Sequence, residues 1–319
     1  MSDTKPLVLS VGPLLPALQS QLEQHYRLLE LWRCESPATL LAEQGADVQA
    51  LVTTGVHGAS AHLIEQLPAL RAIVCFGVGT DAVDLKAARA RGIQVSNTPD
   101  VLNDCVADAA MALLLAVARQ VVVADRFVRA GRWEAERFGL TTALGGKTCG
   151  IVGMGPIGQA IARRASAFGM QVNYSSRTPK PQLAYTYHDS LLTLAECSDF
   201  LVLAVPGGSA TDGLVSRQVL EALGPTGMLV NVARGSVVDQ SALIDALSDG
   251  RIAGAALDVF ADEPHVPAAL RELDTVVLSP HVASGTKETR QAMADRVLAN
   301  LAALFATGQV LHPVPEGAQ

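Results

Sequence analysis

Charged residues are few and scattered in this chain. Asp, Glu, Lys and Arg make up only 17% of 319 residues, the net charge is −7, and no run of Lys or Arg occurs. That excludes the basic groove a nucleic-acid partner needs, while a local cationic pocket for a small anion remains open. The cysteines form no framework either. Cys34, Cys75, Cys105, Cys149 and Cys197 are odd in number and lack CxxC or Cys/His metal spacing. Neither disulfides nor a bound metal is expected, and the thiols read as small buried hydrophobes of a cytoplasmic protein. Long hydrophobic runs are also missing. The longest, AAMALLLAVA at 109–118, lies between Asp108 and Arg119 and is too short to span a bilayer. The opening MSDTKPLVLSVGPLLP has too short an apolar core and too many prolines for a signal peptide. No internal repeat or low-complexity segment is present. The expectation is a cytoplasmic protein without membrane or nucleic-acid partners.

What is abundant is apolar: 49% of the residues are hydrophobic, enough for large cores, and the length suggests two domains. Short apolar runs at 7–11, 48–53, 71–76, 147–152, 199–205, 227–232, 252–257 and 275–279 read as buried strands. Alanine- and leucine-rich segments of helical period separate them. This alternation is the signature of an α/β protein with doubly wound parallel sheets. SNTPD at 96–100 ends a strand and marks a break. The helix expected over 103–120 is apolar on nearly all sides, so it should be buried on more than one face, between domains or in a subunit interface. The last helix, about 286–307, is long enough to return to the first lobe, so the second domain is expected as an insert in the first.

KTCGIVGMGPIGQAIARRASAFGM at 147–170 reads as strand, glycine turn and helix. Gly153, Gly155 and Gly158 fill G-x-G-x-x-G, and Pro156 suits the first helical turn. Such a turn lets the backbone approach a pyrophosphate at a helix N-terminus, where unpaired N–H groups and the dipole favour an anion. The next strand ends in VNYSSRTPK (172–180). An acidic residue at that place would grip the ribose hydroxyls of NAD and repel a 2′-phosphate. Here Ser176 is uncharged, Arg177 supplies a cation, and Thr178 and Lys180 add donors, which favours NADPH, with NADH weaker. The alternative is a solvated arginine at a strand end.

Four charged residues follow, all at or just beyond strand ends: Arg234 in NVARGSVVD, Asp258 and Glu263 in AALDVFADEP, and His281 in SPHVASGT. That edge of a doubly wound sheet is where ligands bind. An uncompensated Arg234 there would be expensive unless it met an anion, and a His, a Glu and an Arg converging on a nucleotide edge point to catalysis. His57, His62, His188, His265 and His312 match no such position and read as surface or packing residues.

These motifs, together with CFGVGTDAVDL at 75–85, stand in an order and spacing that resembles the D-isomer-specific 2-hydroxyacid dehydrogenases over essentially the whole chain. RAGRWEAERFGLTTALGGK (129–147) and HVASGTKETRQAMADRVLANL (281–301) are similar to the NADPH-dependent glyoxylate/hydroxypyruvate reductases and hydroxyphenylpyruvate reductases. The resemblance implies a Rossmann-type NAD(P)-binding domain (99–286) inserted into a flavodoxin-like substrate-binding domain (1–98 and 287–319), with the active site in a cleft between lobes. It implies that Arg234 holds the substrate carboxylate, His281 exchanges the proton, and Glu263 orients the imidazole and favours its charged form. Asp258 would meet the nicotinamide carboxamide, and the backbone around Val78 and Gly79 would bind the substrate carboxylate. Further cofactor contacts fall on Ile157, Val205, Pro206, Val232, Ala233, His281 and Ser284. Two departures stand out: Pro206-Gly207-Gly208 where many relatives have Pro-Leu-Thr, which could loosen cofactor contacts, and Asp108 where Glu is usual. The activity implied is NADPH-dependent reduction of glyoxylate or hydroxypyruvate by a homodimer. The alternatives are a reductase for hydroxyphenylpyruvate or 2-ketogluconate, or a nucleotide-sensing binding protein like the corepressors built on this fold.

Overall fold

The computed structural model describes residues 5–315. It divides into two compact units, Met1–Val101 with Thr286–Gln319, and Leu102–Gly285. The first unit carries five parallel strands, β1 (Leu7–Ser10), β2 (Arg27–Glu30), β3 (Ala50–Thr54), β4 (Ala72–Phe76) and β5 (Gln94–Ser96), in the order β2-β1-β3-β4-β5. This is a flavodoxin-like order. Val8, Leu9, Leu51, Val52, Ile73 and Val74 are fully buried, as expected of parallel strands covered on both faces. The helix Lys287–Thr307 starts where Thr286 accepts a hydrogen bond from the Thr289 N–H, and it packs on β4 through an apolar face that includes Met293, Val297 and Leu301. Asn300, fully buried, accepts from the N–H groups of Leu311 and His312 and donates to the Arg296 carbonyl. The segment so tethered bridges β5 at Ser96 and Pro313. His312 also meets Arg296; burial and the Arg296 charge lower its pKa against the opposing pull of Asp100.

The second unit carries β6 (Thr148–Val152), β7 (Gln171–Ser175), β8 (Thr186–Tyr187), β9 (Phe200–Leu203), β10 (Met228–Asn231), β11 (Gly254–Leu257) and β12 (Val276–Leu278). All are parallel, in the order β12-β11-β10-β9-β6-β7-β8. Counted from β6, this is the Rossmann order with one strand added, and its order reverses between β6 and β9. Every carboxyl end therefore opens on one edge.

The elements depart from the sequence reading in three places. The edge strands β2 and β8 were not expected: β2 is exposed or half-buried along its length and β8 has two residues, so neither shows a continuous apolar run. The runs at 199–205 and 227–232 leave the ladder early, at Leu203 and Asn231, and their last residues form edge loops. The apolar helix ends at Ala118, because Gln120 takes the left-handed conformation (φ 50°) and a new helix, Val121–Arg129, begins. Eight residues of Asn103–Ala118 are buried, against the helix Pro156–Ala167 and strands β10 to β12 of the same unit. Its exposed Asp104 and Asp108 pair with Arg164 at 3.1 and 2.6 Å. Among the described residues no single helix is long and apolar enough to cross a membrane.

Candidate active site

The turn after β6 is built by glycines with different tasks. Gly153 has φ 98°, a region that side chains rarely enter, and its N–H donates to the Ser175 carbonyl at the end of β7 (2.8 Å). A Cβ on Gly158 would collide with the Gly153 carbonyl, so the helix Pro156–Ala167 lies directly on the turn. At Gly155 a Cβ would meet no protein atom within 4 Å. Nothing inside the chain requires glycine there, whereas a ligand pressed against the backbone would. With Pro156 opening the helix and the N–H groups of Ile157 and Gly158 in its first turn, these residues fit a dinucleotide pyrophosphate. The Val205 side chain lies against Gly153. The following loop, Pro206-Gly207-Gly208, is restrained because the Thr211 hydroxyl donates to the Pro206 carbonyl at 2.7 Å. No carboxylate stands at the end of β7. Ser176 directs its hydroxyl at the Thr178 carbonyl (2.8 Å), and Arg177 and Thr178 are exposed.

Three neighbouring strands deliver the remaining groups. Beyond β10, Val232 and Ala233 are buried. Buried Asn231 accepts from the Ala233 N–H (3.0 Å) and donates to the Arg234 carbonyl (2.9 Å), which bends the chain so that Arg234 leaves the sheet. Gly235 follows, where a Cβ would overlap the Phe260 carbonyl, so this turn packs on the segment leading to Glu263. Beyond β11 stands Asp258, 1% exposed. Its carboxylate accepts from the Ser279 hydroxyl (2.7 Å) and from the N–H groups of Val282 and Ala283 (2.9 Å each). Its carbonyl accepts from the His281 N–H at 2.8 Å. Those contacts hold His281 in the left-handed region, φ 53°, and the Gly285 N–H closes the Ser284 loop on the Val282 carbonyl.

His281 Nδ1 lies 2.7 Å from Glu263 Oε2, and Glu263 Oε1 accepts from the Phe260 N–H at 3.0 Å. With Nδ1 so engaged, Nε2 is the nitrogen left to exchange a proton with a ligand, and 37% of the His281 side chain is exposed to do so. Burial raises the pKa of Glu263. The hydrogen bonds from His281 and Phe260 and the charges of His281 and Arg234 outweigh that effect and bring it below its ordinary 4.5. Glu263 is therefore a carboxylate at neutral pH. Burial pushes the Cys75 and Cys149 thiols up to about 12, so neither competes as a nucleophile. Among the described residues no three His, Cys, Asp or Glu side chains gather as metal ligands.

Arg234, Asp258, Glu263, His281 and the glycine turn thus share one edge of one sheet. Val78 and Gly79 lie in the first unit, just beyond β4, where Asn97 donates to the Val78 carbonyl (2.9 Å) and the Thr98 N–H to the Gly77 carbonyl (2.9 Å). The sequence reading missed Asn231 and Gly235 and the loop-holding bonds of Asp258. Gly235 alone carried a signal, as a glycine directly after a charged residue at a strand end. Gly155→Ala should leave the melting temperature unchanged, since φ −73° at that position suits alanine, yet weaken dinucleotide binding. Gly158→Ala should lower stability by about 1–3 kcal/mol, as overpacking does. Thermal melts and NADP titrations of both variants check this, and equal behaviour of the two contradicts it.

Residues 111–283 match the model of the D-isomer specific 2-hydroxyacid dehydrogenase NAD-binding domain. The chain is 48% identical to glyoxylate/hydroxypyruvate reductase A of Arabidopsis thaliana over 307 residues, covering 96% of this chain and 98% of that one. It is 45% identical to hydroxyphenylpyruvate reductase of Plectranthus scutellarioides, with the same coverage. Among solved structures, the NADPH-dependent glyoxylate/hydroxypyruvate reductase of Sinorhizobium meliloti, in complex with NADP and malonate, superposes with a TM-score of 0.91 at 43% identity, covering 98% of each chain. Fold, edge geometry and these likenesses agree: the chain belongs to the D-isomer-specific 2-hydroxyacid dehydrogenase family.

Proposed function

We propose that the protein reduces small 2-keto acids, glyoxylate or hydroxypyruvate, to D-2-hydroxy acids, using NADPH in preference to NADH. The observation that carries this reading is the 2.7 Å contact between His281 and Glu263 on the edge that also bears Arg234. The residues around Gly155 fit the dinucleotide, which when bound supplies the hydride to C2. Arg234 binds the substrate carboxylate through its planar fork of donors. His281, held by Glu263 through Nδ1, gives its Nε2 proton to the oxygen of the carbonyl, so that the π bond is replaced by a C–H bond at C2 from the hydride and an O–H bond from the proton. Asp258 keeps the His281 loop in place and is the group proposed to meet the carboxamide, with Val205, Pro206, Val232, Ala233 and Ser284 lining the cofactor. For Val78 and Gly79 the proposed role is carboxylate recognition by main-chain N–H groups.

The likeness to hydroxyphenylpyruvate reductase favours one second reading, a reductase for bulkier 2-keto acids. Loss of NADPH absorbance against glyoxylate, hydroxypyruvate, hydroxyphenylpyruvate and 2-ketogluconate separates the two. The highest kcat/KM is expected on one of the first two acids, with Arg234→Ala abolishing turnover while NADPH affinity, read by fluorescence, stays near wild type. Turnover of none of the four would reject the reading.

The proposed setting is cytoplasmic and the proposed assembly a homodimer. Val121, Val128, Trp133 and Leu140 are large, apolar and exposed along the helix Val121–Arg129 and the loop after it. Exposed apolar side chains carried on one short segment are covered most simply by the same segment of a second copy. Light scattering at micromolar concentration should give twice the chain mass, and Val128→Asp should reduce it. A wild-type monomer would contradict the assignment.

A further inference from the structure

The loop proposed to separate NADPH from NADH is braced from below. Tyr174, in β7, is 1% exposed, and its hydroxyl oxygen accepts the Lys180 N–H at 2.7 Å. The five residues Ser176 to Lys180 therefore form a closed arch, pinned at its far end by a buried phenol and inside by the Ser176 hydroxyl on the Thr178 carbonyl. Tyr187 completes the brace. It lies opposite Tyr174 in the parallel register of β7 and β8, its ring centroid is 5.4 Å from that of Tyr174, and its hydroxyl donates to the Ser176 carbonyl at 3.4 Å. The other end of the arch is tied to the pyrophosphate turn through the Gly153 N–H on the Ser175 carbonyl. The two-residue strand β8, with no apolar run of its own, has this as its visible task.

We propose that Tyr174 is a positioning residue for cofactor selection: by holding the Lys180 amide it presents Arg177 and the loop donors to the 2′-phosphate of NADPH, with Tyr187 as its support. This rests on the NADPH reading of Ser176-Arg177-Thr178. A five-residue loop exposed at its centre and carrying two long cations would lose backbone and side-chain freedom on gripping a phosphate. Ordering the backbone beforehand removes part of that cost from the binding step. NADH has no 2′-phosphate, so it gains little from the arch. A tyrosine that only filled the core would act on both nucleotides alike.

The test is Tyr174→Phe, which keeps the buried ring and deletes only the oxygen, compared with Arg177→Ala and the double variant. Dissociation constants for NADPH, NADH and 2′,5′-ADP are read by titration calorimetry, alongside thermal melts. Tyr174→Phe should weaken NADPH and 2′,5′-ADP about three- to tenfold, the net value of one hydrogen bond. NADH should move by less than about twofold. Arg177→Ala should remove most of the preference, and adding Tyr174→Phe to it should then cost NADPH little, because the two act through one contact. Tyr187→Phe, which deletes the longer hydrogen bond, should act in the same direction but less, so the brace stays testable if Tyr174→Phe melts early. Equal losses for NADPH and NADH, or additive losses in the double variant, would overturn the role of Tyr174 and leave the cofactor reading standing. A wild type with equal affinity for NADPH and NADH would overturn both.

Discussion

The second unit's strand-edge geometry depends on one buried carboxylate. Asp258 ends β11 and gathers the Ser279 hydroxyl and the N–H groups of Val282 and Ala283, while its main chain takes the His281 N–H. Placing a histidine at positive φ costs about 1–2 kcal/mol. Hydrogen bonds to a charged group contribute about 1.5–3 kcal/mol each, so three of them exceed that strain. A buried carboxylate would itself be unstable without such donors. The requirements are mutual: the loop keeps the charge satisfied, and the charge keeps the loop in the one shape that brings His281 to Glu263.

Parallel strands supply the rest. Because all seven run one way, β6, β7, β10, β11 and β12 release their chains on the same side, and each departure is shaped by a small local device. Gly153 turns the chain after β6, Asn231 bends it after β10, and Gly235 lets the Arg234 turn settle on Phe260. The work of these devices is placement rather than substrate contact. They fix where Arg234, Glu263 and the dinucleotide turn stand, and the chemistry follows from that arrangement.

Much of the fold was legible in the sequence, for identifiable reasons. Strands buried along most of their length show as apolar runs, so β1, β3, β4, β6, β9, β10 and β11 were visible, and the edge strand β12 was visible because its residues are themselves apolar. The edge strands β2 and β8 are exposed or half-buried and were not. Arg234, Asp258, Glu263 and His281 stood out because charged residues at the ends of apolar strands are rare without a purpose. What pattern alone did not disclose was partnership across distance. The bonds of Asp258 reach 21 to 25 residues along the chain, and that of Tyr174 to Lys180 crosses a turn that no periodicity marks. The helix expected over 103–120 ends two residues early, at Ala118, because Gln120 takes a left-handed conformation.

The central claim is that His281 acts as a proton donor because an ionised Glu263 is bonded to it. The pKa of Glu263 is lowered below its ordinary 4.5, so at neutral pH Glu263→Gln removes a negative charge while keeping size and one of the two acceptor oxygens. Reduction passes the Nε2 proton of His281 to the substrate, and the Glu263 carboxylate holds the ring through Nδ1. The decisive measurement is kcat/KM for keto-acid reduction at neutral pH, together with NADPH affinity, for wild type and Glu263→Gln. A fall in kcat/KM of at least about tenfold, part of what general acid catalysis contributes, with NADPH affinity unchanged is the predicted result, and turnover that stays near wild type would contradict it.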